Sequence, residues 1–486
     1  MKKSPTNFLL FLILGASAFF RLYRLGDLLG FWYDQGRDAL VIWDLLNYGK
    51  FFLIGPVTGI DGIYLGPFYY YLIAPFYWLG KGNPVFPAAG IVFLTLGSIY
   101  LIFYLAKKIY NPQVGVLAAF LYGFSYSLVT FSRWLSNPTP LPFFTMVVLI
   151  GLFLFINGKK KALLWTAFII GLCLQLEAAS AVFFLPATLA ILFLEKEVFK
   201  DKRILILSFL AFFITLLPQI LFDIRHEGVL RAAFNKFLVT EKSFKLSLWQ
   251  TFRLRLLTYY DVFFAKLFPG SKILKLVSLA SFSAGFLFFR KRVLTKGGKM
   301  LAIWLAAPLV GFLFYQGNNG YVWDYYFTGV VPAFIILFAA SLGFLLEKRA
   351  YQIAVMVFLL LFAVSNVRQI GNYHKTGIGI TLKAQKWAID WIYKDADGSE
   401  FNIDAYVPPQ IYYSYSYLFK WYGKSKYGRE PETNLVKNLY TLYEPDGEHP
   451  QFLEGWLLRQ DTIGKVVKSD FWGDITVQKR ERVMYE

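Results

Sequence analysis

Six consecutive residues, Tyr33-Asp34-Gln35-Gly36-Arg37-Asp38, hold the most direct chemistry in this chain. If a helix begins there, Asp34, Arg37 and Asp38 share one face through i, i+3 and i+4 spacing, which puts two carboxylates beside a guanidinium. A carboxylate can take a proton from a reacting hydroxyl, and a fixed cation can stabilise a departing anion. A plainer reading makes Asp34 only a helix N-cap that satisfies free backbone amides. The third helical position would then be Arg37 and not Glu, so no capping box supports it. Glu177 is a lone carboxylate between two apolar runs, either an exposed turn residue or, if buried, a substrate or metal contact. Arg133, Arg225 and His226 are further cations, with a snorkelled or surface role as the alternative for each arginine and a satisfied structural role for His226. Asp61, Asp223 and Asp324 read as solvated loop residues. His226, His374 and His449 are too scattered for a histidine metal site, and the single Cys173 allows neither an intramolecular disulfide nor a cysteine cluster. No Walker motif, zinc-ligand spacing, nucleophile elbow or dinucleotide fingerprint is present. No cofactor is certain from these residues, and a divalent metal stays open, since the chain has no diagnostic ligand set for one.

The elements that must position these residues are apolar. At 57% apolar and 20% aromatic, the 486 residues are too hydrophobic for an ordinary soluble enzyme. Eleven runs suit membrane spans of roughly 17–25 residues, near 7–24, 86–106, 112–131, 140–157, 162–176, 179–194, 204–222, 273–290, 299–315, 326–346 and 350–367. The stretch 162–194 divides into two short helices turning near Glu177, because the lysines at both its ends belong on one side. The formal charge of +19 is concentrated in part at span ends, as in Lys107-Lys108, Lys159-Lys160-Lys161, Lys196 to Arg203, Arg290 to Lys299 and Lys348-Arg349. That distribution is a topology signal that makes those ends cytoplasmic, and it argues against nucleic-acid binding. Lys2-Lys3 followed by an apolar run and Ala16-Ser17-Ala18 also reads as a secretory signal, but the run continues to Leu22 and favours an uncleaved first span.

The remaining connections then lie outside: residues 25–85, Ser132 to Pro140, the Glu177 turn, Asp223 to Ser271, Gln316 to Tyr325, and a tail from Asn372. Gly62 to Leu72 suggests an aromatic helix lying along the interface. The tail alternates differently. Leu382 to Tyr393 has helical periodicity with Ala384, Trp387, Ala388, Trp391 and Ile392 as its apolar face, and Ile411 to Trp421 suggests a second helix. Strands are expected at Phe401 to Val407, Asn438 to Tyr443, Val466 to Ser469 and Ile475 to Val477. The expected organisation is thus an α-helical polytopic domain over 1–371, with 25–85 as its chemistry-bearing outer loop. A small extracytoplasmic α/β domain follows over 372–486.

An apolar N-terminal span, then Arg21-Leu22-Tyr23-Arg24-Leu25, then an aromatic-Asp step and an aromatic interfacial helix, resembles the integral-membrane glycosyltransferases of the GT-C class. Within it the chain resembles the branch of protein O-mannosyltransferases and lipid A aminoarabinose transferases. Gly66-Pro67-Phe68-Tyr69-Tyr70 matches a Pro-Pro-Leu-Tyr-Tyr-like element of that branch. Further matches are Ser132-Arg133 with Asn137-Pro138, Leu217-Pro218 ahead of Asp223-Ile224-Arg225-His226, and Tyr326 with Pro332. The resemblance covers roughly residues 7–370.

It implies a plasma-membrane enzyme, a hexosyl- or pentosyltransferase, that uses a polyprenyl-phosphate-linked sugar and inverts the anomeric centre on the extracytoplasmic side. The acceptor would be a lipid, a glycan or a protein. The family's Asp-Glu pair places its catalytic base at Asp34, and its Glu position is Gln35 here, which leaves no second carboxylate at that step. Arg37, Arg133 and Arg225 are the expected phosphate contacts. Asp38, Tyr69, Asn137, Glu177, His226 and Tyr326 complete the expected substrate site. A transporter or flippase is the competing class, yet no repeated halves or paired midplane breaks are evident. A non-catalytic polysaccharide-assembly scaffold is the third class, and it leaves Asp34 and Arg37 without a use.

Overall fold

The computed structural model describes residues 5–60, 62–194, 201–237, 247–315, 320–408 and 411–482. Asp61, Lys196 to Lys200 and the start of the Gln316 to Tyr325 loop lie outside the described residues. Helices fall on every expected span: Pro5–Leu22, Val85–Ile109, Pro112–Phe124, Leu141–Ile156, Ala162–Leu176, Phe184–Leu192, Lys202–Arg225, Lys272–Phe288, Lys296–Gly311, Val331–Leu346 and Arg349–Thr376. Pro112–Phe124 continues into Tyr126–Ser132 after a 64° bend. Among the described residues, four helices are by themselves long and apolar enough to cross a bilayer, five if the bent pair is one span. The other apolar helices are shorter, so eleven crossings are not fixed by length alone.

Burial separates the bundle's centre from its rim. Every residue from Val331 to Leu345 is buried, as expected of a helix that is apolar all round and surrounded by others. Lys202–Arg225 is the reverse. Its buried residues are Ser208 and Thr215, while Phe209 is 62% and Ile224 73% exposed. Small polar residues inward and large apolar residues outward fit a helix whose solvent is hydrocarbon.

The two ends of the bundle differ. At the basic end, the Tyr110 hydroxyl donates to the Val293 carbonyl at 2.8 Å and Arg292 forks onto Glu347 at 2.6 and 2.8 Å. At the opposite loop end, the first loop, the Arg133 turn, the Glu177 turn and the C-terminal domain meet. The expected helix over Gly62 to Leu72 begins only at Phe68 and runs to Leu79. Ahead of it the chain doubles back, with backbone bonds Gly55 to Leu65 and Leu65 to Pro56, and Gly62 takes a left-handed φ of 73°. The long loop after Asp223 also differs from expectation, since it contains a helix at Leu248–Ala265 capped by Ser247.

The tail forms a four-stranded mixed sheet, order β1-β2-β4-β3: β1 Phe401–Tyr406, β2 Asn438–Tyr443, β3 Gly464–Trp472 and β4 Ile475–Arg482. β1 runs parallel to β2, and the other neighbours are antiparallel. The β3–β4 hairpin turns on Gly473 and Asp474, both at positive φ (59° and 61°), as a two-residue turn matching strand twist requires. Helix Leu382–Ala396 packs on this sheet, and Pro450–Ile463 is a helix that the strand pattern concealed.

Candidate functional site

Asp34 sits in the first turn of helix Tyr33–Tyr48. The N-cap is Trp32, with extended backbone, and its N–H donates to the Gln35 side chain at 3.0 Å. Asp34 is therefore not the cap, and Gln35, at the third helical position, makes the reciprocal bond that the sequence reading assigned to no residue. Arg37 joins the two carboxylates. Its Nη1 lies 2.9 Å from Asp34, while Nε and Nη2 donate to Asp38 Oδ1 at 3.0 and 2.8 Å. The Tyr70 hydroxyl donates to the same oxygen at 3.0 Å.

The two carboxylates differ in burial. Asp34's side chain is 52% exposed, whereas that of Asp38 is 6% exposed. Burial pushes the Asp38 carboxyl up to about 6, against the pull of Arg37. Burial also works against the Arg37 charge, but Asp38 and then Asp34 outweigh it, and it remains a cation. The arrangement is an inner anchor of Asp38 and Tyr70, a positioned guanidinium, and an outer carboxylate open to a substrate. Tyr69 is fully buried behind this group, and its hydroxyl has no partner among the described residues. Its neighbour Tyr70 makes the contact instead, because helix Phe68–Leu79 directs the two side chains differently.

Glu177 ends helix Ala162–Leu176 in extended conformation and caps the next turn by accepting from the Ala179 N–H at 3.1 Å. Asn137 donates to the Leu176 carbonyl at 2.6 Å and so holds this turn. Gln175 ties the turn to the first loop by accepting from the Phe68 N–H at 3.1 Å, and Gly66 leaves no room for a Cβ against the Gln175 side chain. Only 7% of Glu177 is exposed, and burial pushes its carboxyl up to about 8. Tyr315, Tyr325 and Tyr326 all lie within its electrostatic reach, and Tyr325 is also within reach of Asp34. The Trp134 ring stands 6.2 Å from that of Tyr325. Asp34, Glu177, Tyr326 and the Arg133 turn are thus brought to one region. Tyr70, Tyr315 and Tyr325 are members the sequence reading did not single out. The Gln316 to Tyr325 loop's aromatic ending, Tyr321-Val322-Trp323-Asp324-Tyr325, was the available signal.

The arginines divide by what they hold. Arg133 is buried. Its Nη1 donates to the carbonyls of Arg21 at 2.8 Å and Tyr23 at 2.9 Å, and its Nε donates to the Tyr373 hydroxyl at 3.0 Å. Those carbonyls, at the end of Pro5–Leu22, lack helical partners and need donors. The structure therefore gives Arg133 a bracing role through Nε and Nη1, while its buried Nη2 has no partner among the described residues. Arg21 and Arg24 act similarly, donating to the carbonyls of Gly123 at 2.8 Å and His374 at 2.6 Å. Arg255 is a brace the sequence reading missed; it donates to the Gly320 and Phe312 carbonyls at 2.7 and 3.1 Å and so frames the tyrosine loop. Arg225 and His226 are exposed at the end of their helix and make no contact with the Asp34 group. His226 Nδ1 lies 2.8 Å from the Phe222 carbonyl, with the two rings stacked 4.0 Å apart. Asp223 caps the following helix, accepting from the Leu230 N–H at 2.8 Å. Asp324 pairs with Lys266 at 3.3 Å.

The C-terminal domain grips the Asp34 helix. Gln385 donates to the Phe31 carbonyl at 2.9 Å, and Trp32 Nε1 donates to the Ile380 carbonyl at 2.7 Å. A Cβ on Gly36 would stand 2.2 Å from the Ser414 backbone nitrogen, so glycine is what lets the two chains touch. Among the described residues, no three His, Cys, Asp or Glu side chains gather closely enough to hold a metal ion.

Residues 65–222 match the family model of dolichyl-phosphate-mannose-protein mannosyltransferase, a match that begins after the Asp34 helix. No curated protein sequence matches the chain. The fold is similar to that of ArnT from Cupriavidus metallidurans in the apo state, with 12% identity, a TM-score of 0.64, and coverage of 96% of this chain and 97% of that one. It is equally similar to ArnT bound to undecaprenyl phosphate, with 12% identity, a TM-score of 0.63, and coverage of 98% of each chain. The architecture is GT-C-like, a helical bundle with an appended sheet domain.

Proposed function

We propose that this chain, built on the GT-C fold of ArnT, is a membrane glycosyltransferase that moves a sugar from a polyprenyl-phosphate donor to an acceptor hydroxyl. The single observation that carries this reading is the half-exposed Asp34 carboxylate, held at 2.9 Å by an Arg37 that is itself anchored on buried Asp38. A base must be both fixed and accessible, and this arrangement supplies both. The family match to a mannosyltransferase model and ArnT's binding of undecaprenyl phosphate support the donor class.

In the proposed step, the acceptor oxygen attacks the anomeric carbon while Asp34 takes the hydroxyl proton. The bond from that carbon to the phosphate oxygen breaks, its electron pair leaves with the polyprenyl phosphate, and the anomeric centre inverts. Arg37 is committed to Asp34 and Asp38, so it positions the base. Arg225, exposed and without an ion pair among the described residues, is the expected arginine left free to receive the phosphate. Burial pushes the Glu177 carboxyl up to about 8, which favours the protonated form near pH 7, and that form can donate a hydrogen bond to a sugar hydroxyl beside Tyr325 and Tyr326. The donor set does not fit a resident divalent cation: Asp34 and Asp38 share Arg37, and among the described residues no third ligand joins them.

Sidedness follows from charge. Lys107-Lys108, Arg290 to Lys299 and Lys348-Arg349 lie at the end opposite Asp34, and this distribution supports reading the site and the sheet domain as extracytoplasmic at the plasma membrane. The decisive experiment is release of polyprenyl phosphate from a polyprenyl-phosphate sugar by the purified protein, with Asp34→Asn as the control. Release by the parent and not by the variant is the expected result; release by neither refutes the transferase reading.

A further inference from the structure

A groove of about 640 Å³ lies between helix Leu382–Ala396 and the loop end of the bundle, and none of the residues assigned to the Asp34 site lines it. One face of that helix, Lys383, Lys386, Trp387, Asp390, Trp391 and Lys394, forms its wall at spacings of 3, 4, 7, 8 and 11 residues. The opposite wall comes from Gly26 and Val85 of the bundle, and Trp472 closes the end. The sequence pattern placed Trp387 and Trp391 on the apolar core face. The structure instead buries Ala384, Gln385, Ala388, Ile389 and Ile392 there and turns the tryptophans, only partly buried, into the groove.

The charges in this groove do not balance. Its two carboxylates already have cations: Asp390 takes Lys426 at 2.9 Å, and Asp27 takes Arg24 Nε at 3.3 Å. The three lysines have no carboxylate partner among the described residues. Lys386 projects between aromatic rings, 5.0 Å from the Trp421 centroid and 5.1 Å from that of Tyr422. Burial lowers the pKa of this ammonium, outweighing the pull of Asp390 and Asp27, neither of which is within ion-pair distance of it. Lys383 stands 5.8 Å over Trp472, whose ring lies 5.7 Å from that of Trp387.

We propose that this groove docks a phosphate- or carboxylate-bearing saccharide, with the lysines taking its anion and the Trp387, Trp391 and Trp472 indoles taking its sugar faces. Indoles offer flat apolar surfaces with polar tips, suited to the C–H faces of a pyranose, and unpaired ammonium groups select an anion over a neutral glycan. In the proposed transferase this saccharide is the acceptor or its extension; only that assignment rests on the transferase reading.

The test is binding by the full chain in phosphatidylcholine nanodiscs, read as tryptophan fluorescence during titration with phosphorylated mannopentaose or its neutral counterpart. The phosphorylated probe should quench and the neutral one should bind at least tenfold more weakly. Replacing Lys383, Lys386 and Lys394 together by Gln should weaken the phosphorylated probe about 100-fold, at roughly fivefold per lost charge, and replacement by Arg should restore binding. Equal binding of both probes, or unchanged binding by the Gln variant, overturns the proposal. So does loss of the signal when the discs contain phosphatidylglycerol, which would make the groove a phospholipid headgroup site. The Asp34→Asn protein must bind as the parent does, so a failure of catalysis leaves this result readable.

Discussion

Replacing Asp34 by Asn tests the catalytic assignment with little structural disturbance. Asn retains the size of Asp and an oxygen that can still accept from Arg37 Nη1, now 2.9 Å away. Arg37 keeps its two bonds to Asp38, at 3.0 and 2.8 Å, so the guanidinium should not move. A half-exposed ion pair is worth roughly 0.2–1 kcal/mol, and the variant should express and melt close to the parent. The lost quantity is basicity. General-base catalysis contributes about 10²–10⁴-fold, equivalent to roughly 3–5 kcal/mol of barrier, so transfer should fall by at least 100-fold. The assay is single-turnover release of polyprenyl phosphate in nanodiscs, with donor binding measured in parallel. Unaltered binding with lost release supports the base. Release within a few-fold of the parent refutes the reasoning, because an amide cannot take the proton.

The other predictions separate bracing from chemistry. Arg133→Ala strands helix-end carbonyls and should cost about 3 kcal/mol or more, read as a lowered melting temperature in detergent. Arg225→Ala should leave melting unchanged while slowing turnover about 10–150-fold, the value of a charge-assisted contact of roughly 1.5–3 kcal/mol. Glu177 binds a proton in the fold up to about pH 8, above its unfolded value, so its contribution to stability is lost as pH rises from the ordinary carboxylate range toward 8. Transfer should fall as pH passes through about 8, where the native carboxyl ionises, and Glu177→Gln should flatten both profiles. Chelation of divalent cations should leave transfer within a few-fold of the untreated rate. Cysteines placed at Thr58 and Gly398 should both react with an impermeant maleimide on intact cells; reaction only after permeabilisation would invert the topology.

Much of this architecture is legible in the sequence because membrane physics writes large signals. Apolar length marks the eleven helices expected as spans, and period-two runs mark all four tail strands. What was hidden depends on contacts far apart in the chain. Nothing near Arg133 shows that the carbonyls of Arg21 and Tyr23 await it, so it reads as a free cation. Gln35 reads as a missing carboxylate, yet it closes the helix start because the cap falls on Trp32, two residues before Asp34. Tyr69 and Tyr70 are indistinguishable as letters; only the phase of helix Phe68–Leu79 decides which one meets Asp38. Leu248–Ala265 is obscured by its charges and aromatics; Trp249 and Phe252 are exposed, while Arg255, Phe263 and Phe264 turn inward.

The sheet domain belongs to the site more closely than a tail suggests. Asp34 lies on a helix whose first turn is gripped from the far end of the chain, by Gln385 on the Phe31 carbonyl and by the Ser414 backbone against Gly36. Tyr417 adds a third hold, packing its ring against Phe31, Trp43 and Tyr77 while its hydroxyl donates to the Gly82 carbonyl at 2.6 Å. A loop of some sixty residues could not by itself hold a carboxylate within the few tenths of an ångström that proton transfer demands. The bundle supplies one half of that rigidity, through Tyr70 and the Gln175 tie, and the C-terminal domain supplies the other. The saccharide groove shares the same helix, Leu382–Ala396, so whatever docks there bears on the element that fixes Phe31 and, three residues on, the base.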